Sequence, residues 1–392
     1  MRYLAGLNRQ DWHQELQGLG ADVAIGNRIA DSPVPYCGLR FRQPSNNIVS
    51  LLRAFRKNTY FVVEGNDHVL VILPQFKLET FVVFVQEKQP DASLLAELQQ
   101  LLNNLNKNQW RYRSGSREIP IKAPLWMGVL NVTPDSFSDG GKFLSVDAAV
   151  QRAHQLVREG AQWLDIGGES TRPGAERVSA EEEWQRIGPV IDAIVREYPD
   201  VIISVDTYKS EVARRALEAG AHIINDISAL SFDPRMAEVV AHFGVPVVLM
   251  HIQGTPRDMQ KNPHYTNLMD ELIAFLDRQI AFALKYGITQ IIVDPGIGFG
   301  KRWEDNFEIL RRLHEFRVWG YPVLLGVSRK SFIGKLVNEP NPEHRLGGTI
   351  GANLVGWQHG ATIFRVHDIA AHVQAFSVTA NTKILKANFR NN

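Results

Sequence analysis

Cysteine is nearly absent. Cys37 is the single thiol in 392 residues, which excludes an intramolecular disulfide and a thiolate metal cluster and suits a reducing compartment; it is expected to be buried and inert. Long apolar runs are missing too. No stretch of about 18 apolar residues, the length a membrane-spanning helix needs, occurs anywhere. The opening MRYLAGLNRQDW has neither the basic start nor the apolar centre of a secretory signal, so a cytoplasmic protein without membrane association is expected. Neither sign of charge dominates: 43 Lys and Arg stand against 42 Asp and Glu, a net charge of +1. That balance argues against a general affinity for nucleic acid or anionic surfaces, so any phosphate binding must be local. Metal-ligand spacing is poor as well, with no HExxH and no paired-histidine motif.

What remains is an ordinary globular composition, 44% hydrophobic and 22% charged, in a chain long enough for one large domain and a smaller one. From Leu125 onward, short β-branched apolar runs alternate with amphipathic stretches of helical period, the pattern of a parallel α/β fold. The runs are Trp126–Val132, Trp163–Gly167, Val201–Val205, His222–Asp226, Val245–His251, Gln290–Asp294, Pro322–Val327 and Thr362–Val366. Between them lie helical segments such as Val146–Glu159, Glu181–Arg196, Lys209–Ala219, Met269–Lys285 and Asn306–Arg317. Eight such units predict a closed (β/α)8 barrel over residues 121–392. A doubly wound open sheet is the alternative, but it would not usually need eight regular units.

Residues 1–120 predict a small α+β domain: a helical opening, a helix near Ile48–Arg56, β-rich runs at Tyr60–Val63, Val69–Leu73 and Phe81–Val85, and a helix at Ser93–Asn106. The polar RYRSGSREIPIK (111–122) reads as a linker. No motif in this region carries recognisable chemistry.

In a barrel, chemistry collects at the carboxyl ends of the strands. Here those ends carry Asn131, Asp165 with Glu169, Asp206, Asn225 with Asp226, His251, Asp294, Arg329 with Lys330, and Arg365 with His367. One strand-terminal Asp is more often a turn or cap; convergence of eight strand ends is harder to assign that way. The first two βα loops, VTPDSFSDGG (132–141) and GGESTRPGAERVS (167–179), have the composition of loops that close over a substrate and exclude water, although two surface turns would read similarly. VSRKSFIG (327–334) and FRVHDI (364–369) each leave a strand and enter a helix, placing basic side chains at helix N-termini as an anion site would require; a solvated charge is the plain alternative for Lys330 or Arg365. Asp206, Asn225 and Asp294 have the donors and acceptors to read an amino-pyrimidine edge. A phosphate-bridged magnesium ion (Mg2+), needing few protein ligands, is the metal that fits best.

Taken in order, LNVTPDSFSDGG (130–141), LDIGGESTRPGA (164–175), SVDT (204–207), INDI (224–227), LMHIQGTP (249–256), DPGIGFGK (294–301), SRKS (328–331) and RVHD (365–368) resemble the successive signatures of the dihydropteroate synthase family, over roughly residues 124–385. The resemblance implies a TIM-barrel transferase of folate biosynthesis that joins a pterin diphosphate to p-aminobenzoate and releases pyrophosphate. By that resemblance Asp206, Asn225, Asp294 and Lys330 hold the pterin, with Met250, Gly298 and Phe299 lining its pocket. Asn131 binds magnesium and diphosphate, and Arg365 and His367 grip the phosphates. Asp135, Phe137, Ser138, Thr171, Arg172 and Pro173 close over the site, with Phe137, Thr171 and Pro173 shaping the p-aminobenzoate pocket and Ser331 receiving its carboxylate. Asp135, Ser138, Thr171, Arg172 and Lys330 are the implied catalytic set. A homodimer is implied as well. Two other functions remain to be set against this one: a pterin-binding methyltransferase barrel, which has no diphosphate or aminobenzoate to manage, and a non-catalytic binding or regulatory module. The first 120 residues are what the family does not need.

Overall fold

A computed structural model of the protein describes residues 1–21, 23–55, 61–88, 92–133, 142–172 and 174–389. It divides into two units, residues 1–107 with 311–321, and residues 108–310 with 322–392.

The first unit is built on an antiparallel sheet. β1 (Arg2–Ala5), β2 (Tyr36–Arg42), β3 (Phe61–Glu64) and β4 (His68–Pro74) are ordered β1-β2-β4-β3. Because side chains alternate across a strand, Leu4, Leu70 and Ile72 face one apolar cluster with Trp12 of α1 (Arg9–Gln17) and Ile29 of α2 (Val23–Ala30). Cys37, Leu39, Phe41, Val69 and Val71 face the other, packed by α3 (Asn46–Ala54), α4 (Leu78–Glu87) and α5 (Ala92–Asn106). Cys37 is fully buried, and burial pushes its thiol up to about 12, so it is inert at neutral pH. Residues 311–321 return to this unit: Glu315 is fully buried and accepts from Ala5 N (3.0 Å) and Arg312 Nε (2.8 Å).

Two expectations are corrected here. Phe81–Val85 is helix, because Leu78, Phe81, Val82 and Val85 are buried at helical spacing and a five-residue window hides that period. The chain also opens with β1 before its first helix.

The expected linker 111–122 is likewise ordered. It forms most of a hairpin, β5 (Gln109–Ser114) and β6 (Arg117–Lys122), belonging to the second unit. Its polar residues alternate with buried Trp110, Tyr112, Ile119 and Ile121, so one face is apolar despite the composition. These four pack with Leu125, Met127, Trp163, Ile202, Ile223, Val248, Ile292, Leu324 and Ile363, near the amino ends of the barrel strands. Tyr112 OH donates to Ile291 O at 2.7 Å.

The second unit is the barrel. Its strands are β7 (Leu125–Asn131), β8 (Trp163–Gly167), β9 (Ile202–Asp206), β10 (Ile223–Asp226), β11 (Val247–Met250), β12 (Ile291–Asp294), β13 (Leu324–Leu325) and β14 (Ile363–Val366). All pair in parallel in the order β12-β11-β10-β9-β8-β7-β14-β13, and a Val293–Val323 bridge joins the two ends, with Val293 N donating to Pro322 O at 3.0 Å. The strands are buried on both faces, as helices outside a parallel sheet require. Those helices are α6 (Lys142–Arg158), α7 (Ala180–Glu197), α8 (Ser210–Glu218), α9 (Met236–Phe243), α10 (Leu268–Lys285), α11 (Trp303–Arg311), α12 (Ser331–Val337), α13 (Leu346–Gln358) and α14 (Ile369–Phe389). Side-chain caps start several of them: Ser179 accepts from Glu182 N before α7, and Asn267 from Asp270 N before α10. Among the described residues no helix is long and apolar enough to cross a membrane.

Candidate active site

Strand register brings the polar ends to one level. Asn131, Gly167, Asp206 and Asn225 are successive cross-strand partners on β7 to β10, and Met250 pairs with Asp294 on β11 and β12. Two residues earlier on the same inner face stand Asp165 and Ser204, also partners. Asp165 is the hub. It is fully buried and accepts from Ser204 Oγ (2.7 Å), Asn225 Nδ2 (3.1 Å) and Arg365 Nε (2.6 Å).

Arg365, on β14, also donates from its second arm to Asp206 Oδ2 at 2.9 Å. Burial works against this cation, but Asp165 and Asp206 outweigh it and hold the guanidinium above its ordinary value. Asp206 is the other half of the exchange. Burial, and then the neighbouring Asp165 carboxylate, push it up to about 7 against the pull of Arg365. Its Oδ1 is buried and has no hydrogen-bond partner among the described residues. A carboxylate held in place by one oxygen and open at the other is a poor structural element and a good ligand acceptor.

A second group gathers at β12 and the start of α12. Asp294 accepts from Gly296 N (2.7 Å) through Oδ1, and burial raises it against the attraction of Lys330. Lys330 caps α12, bonds Ile297 O and lies 4.6 Å over the Phe299 ring. Burial brings its ammonium down to about 8, with Asp294 and Asp206 opposing that shift, so these charges act on one another across the strand ends. Gly298 is held by its N–H on Asn306 Oδ1 (2.7 Å) and its carbonyl to Gln260 Nε2 (2.8 Å). Met250 is buried in an apolar cluster with Tyr208, Ile227, Ile252 and Met259, against which Phe299 packs.

The basic strand ends are tied down. His367 Nδ1 lies 2.9 Å from Ser328 Oγ, and burial, then Arg365, lower it to about 3, so the ring is neutral at physiological pH. Arg329 forms a bidentate pair with Asp368. Ser331 is exposed at the first position of α12. Asp226, named among the strand ends, is absorbed in its own turn: it accepts from Ser228 N, Ser228 Oγ and Leu230 N at 2.7–2.8 Å.

Under the second βα loop, Glu169 accepts from Tyr208 OH (2.6 Å) and Val178 N (3.3 Å), and Lys209 bridges Glu169 and Glu183. Above this anchor Thr171 is half-buried and Arg172 exposed. Asp135, Phe137, Ser138 and Pro173 lie outside the described residues. Asn131 is half-buried at the end of β7, and its side-chain amide has no partner among the described residues. Among them no cluster of three His, Cys, Asp or Glu could hold a metal by itself.

Sequence reasoning named Asp165 only as a strand end and passed over Lys301, which is buried beneath the turn after β12. The available signal was Asp165 inside an apolar run two residues before a Gly, and a lysine closing a glycine-rich turn.

Comparison with known proteins agrees with this geometry. A sequence profile described as pterin binding enzyme matches residues 127–367. A dihydropteroate synthase of Synechocystis is 48% identical over 254 residues, 64% of this chain and 88% of its own length. The dihydropteroate synthase of Xanthomonas albilineans, solved with 4-aminobenzoic acid, superposes with a TM-score of 0.66 at 45% identity, over 70% of this chain and 99% of that one. The same enzyme solved in complex with 7,8-dihydropteroate gives 0.64 at 42% identity, with the same coverage. Strand order, strand-end residues and these similarities coincide over one stretch of chain, and the chain belongs to the dihydropteroate synthase family of pterin binding enzymes.

Proposed function

We infer that this chain is a transferase of folate biosynthesis: it condenses 6-hydroxymethyl-7,8-dihydropterin diphosphate with p-aminobenzoate to give 7,8-dihydropteroate and pyrophosphate. The observation that carries the residue assignment is the buried Oδ1 of Asp206, without a partner among the described residues, beside the Asp165–Arg365–Asn225 cluster.

Asp206 and Asp294 accept from the pterin's ring and amino N–H groups, Asn225 adds a carbonyl or amide to the same edge, and Lys330 donates to ring acceptors. Met250, Gly298 and Phe299 form the pocket wall. In the reaction the methylene C–O bond breaks and its electron pair leaves with pyrophosphate. The aniline nitrogen forms the new C–N bond and loses its proton to solvent or to the departing oxyanion. The electron-rich pterin carries the positive charge that develops between those events, and no protein nucleophile is required. Arg365, with His367 as a neutral donor, faces the leaving group, and Ser331 at the start of α12 takes the aminobenzoate carboxylate. Arg172 and Thr171 close from the second loop and exclude water. The amide oxygen of Asn131 is a hard donor of the kind magnesium accepts when substrate phosphates complete its shell; bound there, the ion would neutralise charge on the leaving group.

The test is pyrophosphate release with and without p-aminobenzoate, with product identification. Release that depends on p-aminobenzoate, with dihydropteroate formed, supports the reading; binding without turnover would favour a binding module. In the same preparation, Asp206→Ala should weaken the pterin diphosphate about 100-fold by calorimetry, the order expected when a buried charged acceptor is removed.

A homodimer is part of the proposal. Leu336, Val337, Val355 and Val378 are 58%, 54%, 40% and 63% exposed on the consecutive helices α12, α13 and α14, each of which packs on the next, and exposed apolar side chains on a barrel exterior favour association. A single-chain mass in sedimentation equilibrium would remove it.

A further inference from the structure

One buried lysine has no part in the chemistry above. Lys301 is 3% exposed, and among the described residues no carboxylate pairs with it. Its Nζ lies 2.8 Å from Phe299 O, 3.1 Å from Gly296 O and 2.8 Å from His251 Nδ1, with His251 O at 3.4 Å. An ammonium has three N–H groups and is costly to bury unless each finds an acceptor. Here two acceptors belong to the turn after β12 and the others to the end of β11.

These two segments are in close contact. Gly296 has φ +70°, and a Cβ there would fall 1.8 Å from His251 O; at Gly300 it would fall 2.4 Å from Gln253 O. Lys301 therefore sits in the seam between the turn and the strand end and bonds both sides. The same turn supplies Ile297 O and the Phe299 ring to Lys330, and the backbone N–H of Gly296 to Asp294.

We propose that Lys301 is a positioning residue for the pterin pocket: it fastens the 294–301 turn to the end of β11, so that Asp294, Phe299 and Lys330 meet the ring in register. The proposal rests on the reading that this pocket receives the pterin. It also sets the state of His251. In this role Nδ1 accepts from Lys301 Nζ and the ring proton lies on Nε2; burial, then Lys301, hold the imidazole well below its ordinary value and so neutral, with its ring packed 4.8 Å from the Phe275 ring. His251 is thereby one of the anchors of the turn, with no proton to give through Nδ1. The Asp165–Arg365–Asp206 cluster has no hydrogen bond to Lys301, so removing the clamp leaves that cluster's own hydrogen bonds in place.

Lys301→Met, in the full chain, keeps most of the side-chain volume and removes the donors. Binding of the pterin diphosphate, read by calorimetry, should weaken by about 10- to 100-fold, the order of losing one well-placed hydrogen bond to a buried charged group. The KM for p-aminobenzoate and the kcat at saturating pterin should stay within about threefold, because the lost contact serves ground state and transition state alike. Unchanged pterin affinity, while Asp206→Ala loses it, overturns the role of Lys301. Unchanged affinity in both variants overturns the pocket assignment and the proposal with it. Equal losses in every parameter indicate general damage and also overturn it. Should the variant not fold, the wild-type protein still decides: long-range 1H–15N spectra must place the His251 proton on Nε2, and a proton on Nδ1 refutes the clamp.

Discussion

At the amino ends of the barrel strands Leu125, Met127, Trp163 and Ile292 meet Trp110, Tyr112, Ile119 and Ile121 of the hairpin, all of them buried and apolar. At the carboxyl ends the same strands finish in Asn131, Asp206, Asn225 and Asp294, and a buried oxygen has no partner among the described residues. One mouth is closed by an apolar plug with a hydrogen bond from Tyr112 to the start of β12; the other holds mutually bonded charges, and Asp206 Oδ1 among them has no partner among the described residues. The difference teaches that stability and function have been allotted to opposite ends of the same eight strands, as barrel architecture allows because the strands themselves supply the rigidity.

The comparison is broken most severely from below. Trp110→Ala should destabilise the barrel by about 3–5 kcal/mol, the usual cost of truncating a buried Trp, while kcat/KM measured well below the melting transition should change by less than about twofold. Denaturation followed by circular dichroism, beside the pyrophosphate assay, checks both; a large loss of activity in the folded variant would mean the plug shapes the opposite mouth.

Arg172→Ala tests the upper mouth. Its side chain is exposed, so stability should move by no more than about 0.5 kcal/mol, and turnover should fall by about tenfold or more if it closes over the reacting groups. A melting temperature that falls with turnover would make it a structural residue.

The smallest effect sharpens the comparison by pH. Burial raises Asp206 from 3.8 to about 7, so the folded state binds this proton more tightly than the unfolded state does. Its contribution is therefore fully present below the unfolded value, is lost as pH rises toward about 7, and is flat above. Asp206→Asn should remove a component of stability that falls between pH 5 and pH 7.5, so the variant's melting temperature should fall less, or rise more, than that of the wild type over that range; Asp226, Asp294 and Glu183, which burial also raises, and the lowered His222, His251, His367 and His372 contribute equally to both proteins. An identical pH slope in the two proteins would show that Asp206 is ionised throughout.

Much of this was legible before any coordinates. The eight apolar runs became the eight strands because a parallel strand is buried on both faces and must be apolar throughout, a local property. Asp206, Asn225, Asp294 and Lys330 were visible because polar residues closing such runs stand out. The hairpin 109–122 was not visible as structure, since its apolar residues alternate with Arg, Glu and Lys and only the barrel floor gives that alternation a purpose. Phe81–Val85 misled for a related reason: its β-branched content matches a strand, while the packing of α4 on the sheet decides the period.

By itself the sequence determined the order of the barrel's strands, the barrel and the identity of the polar strand ends, because these follow from periodicity and from residues adjacent in the chain. Tertiary structure decided which groups pair: Arg365 with Asp165, 200 positions away, and Lys301 with His251, 50 away. It also decided that Asp226 is spent in its own turn while Asp206 keeps one oxygen open. Partners and desolvation belong to space rather than to sequence, and they are what separate a structural carboxylate from one left for a ligand.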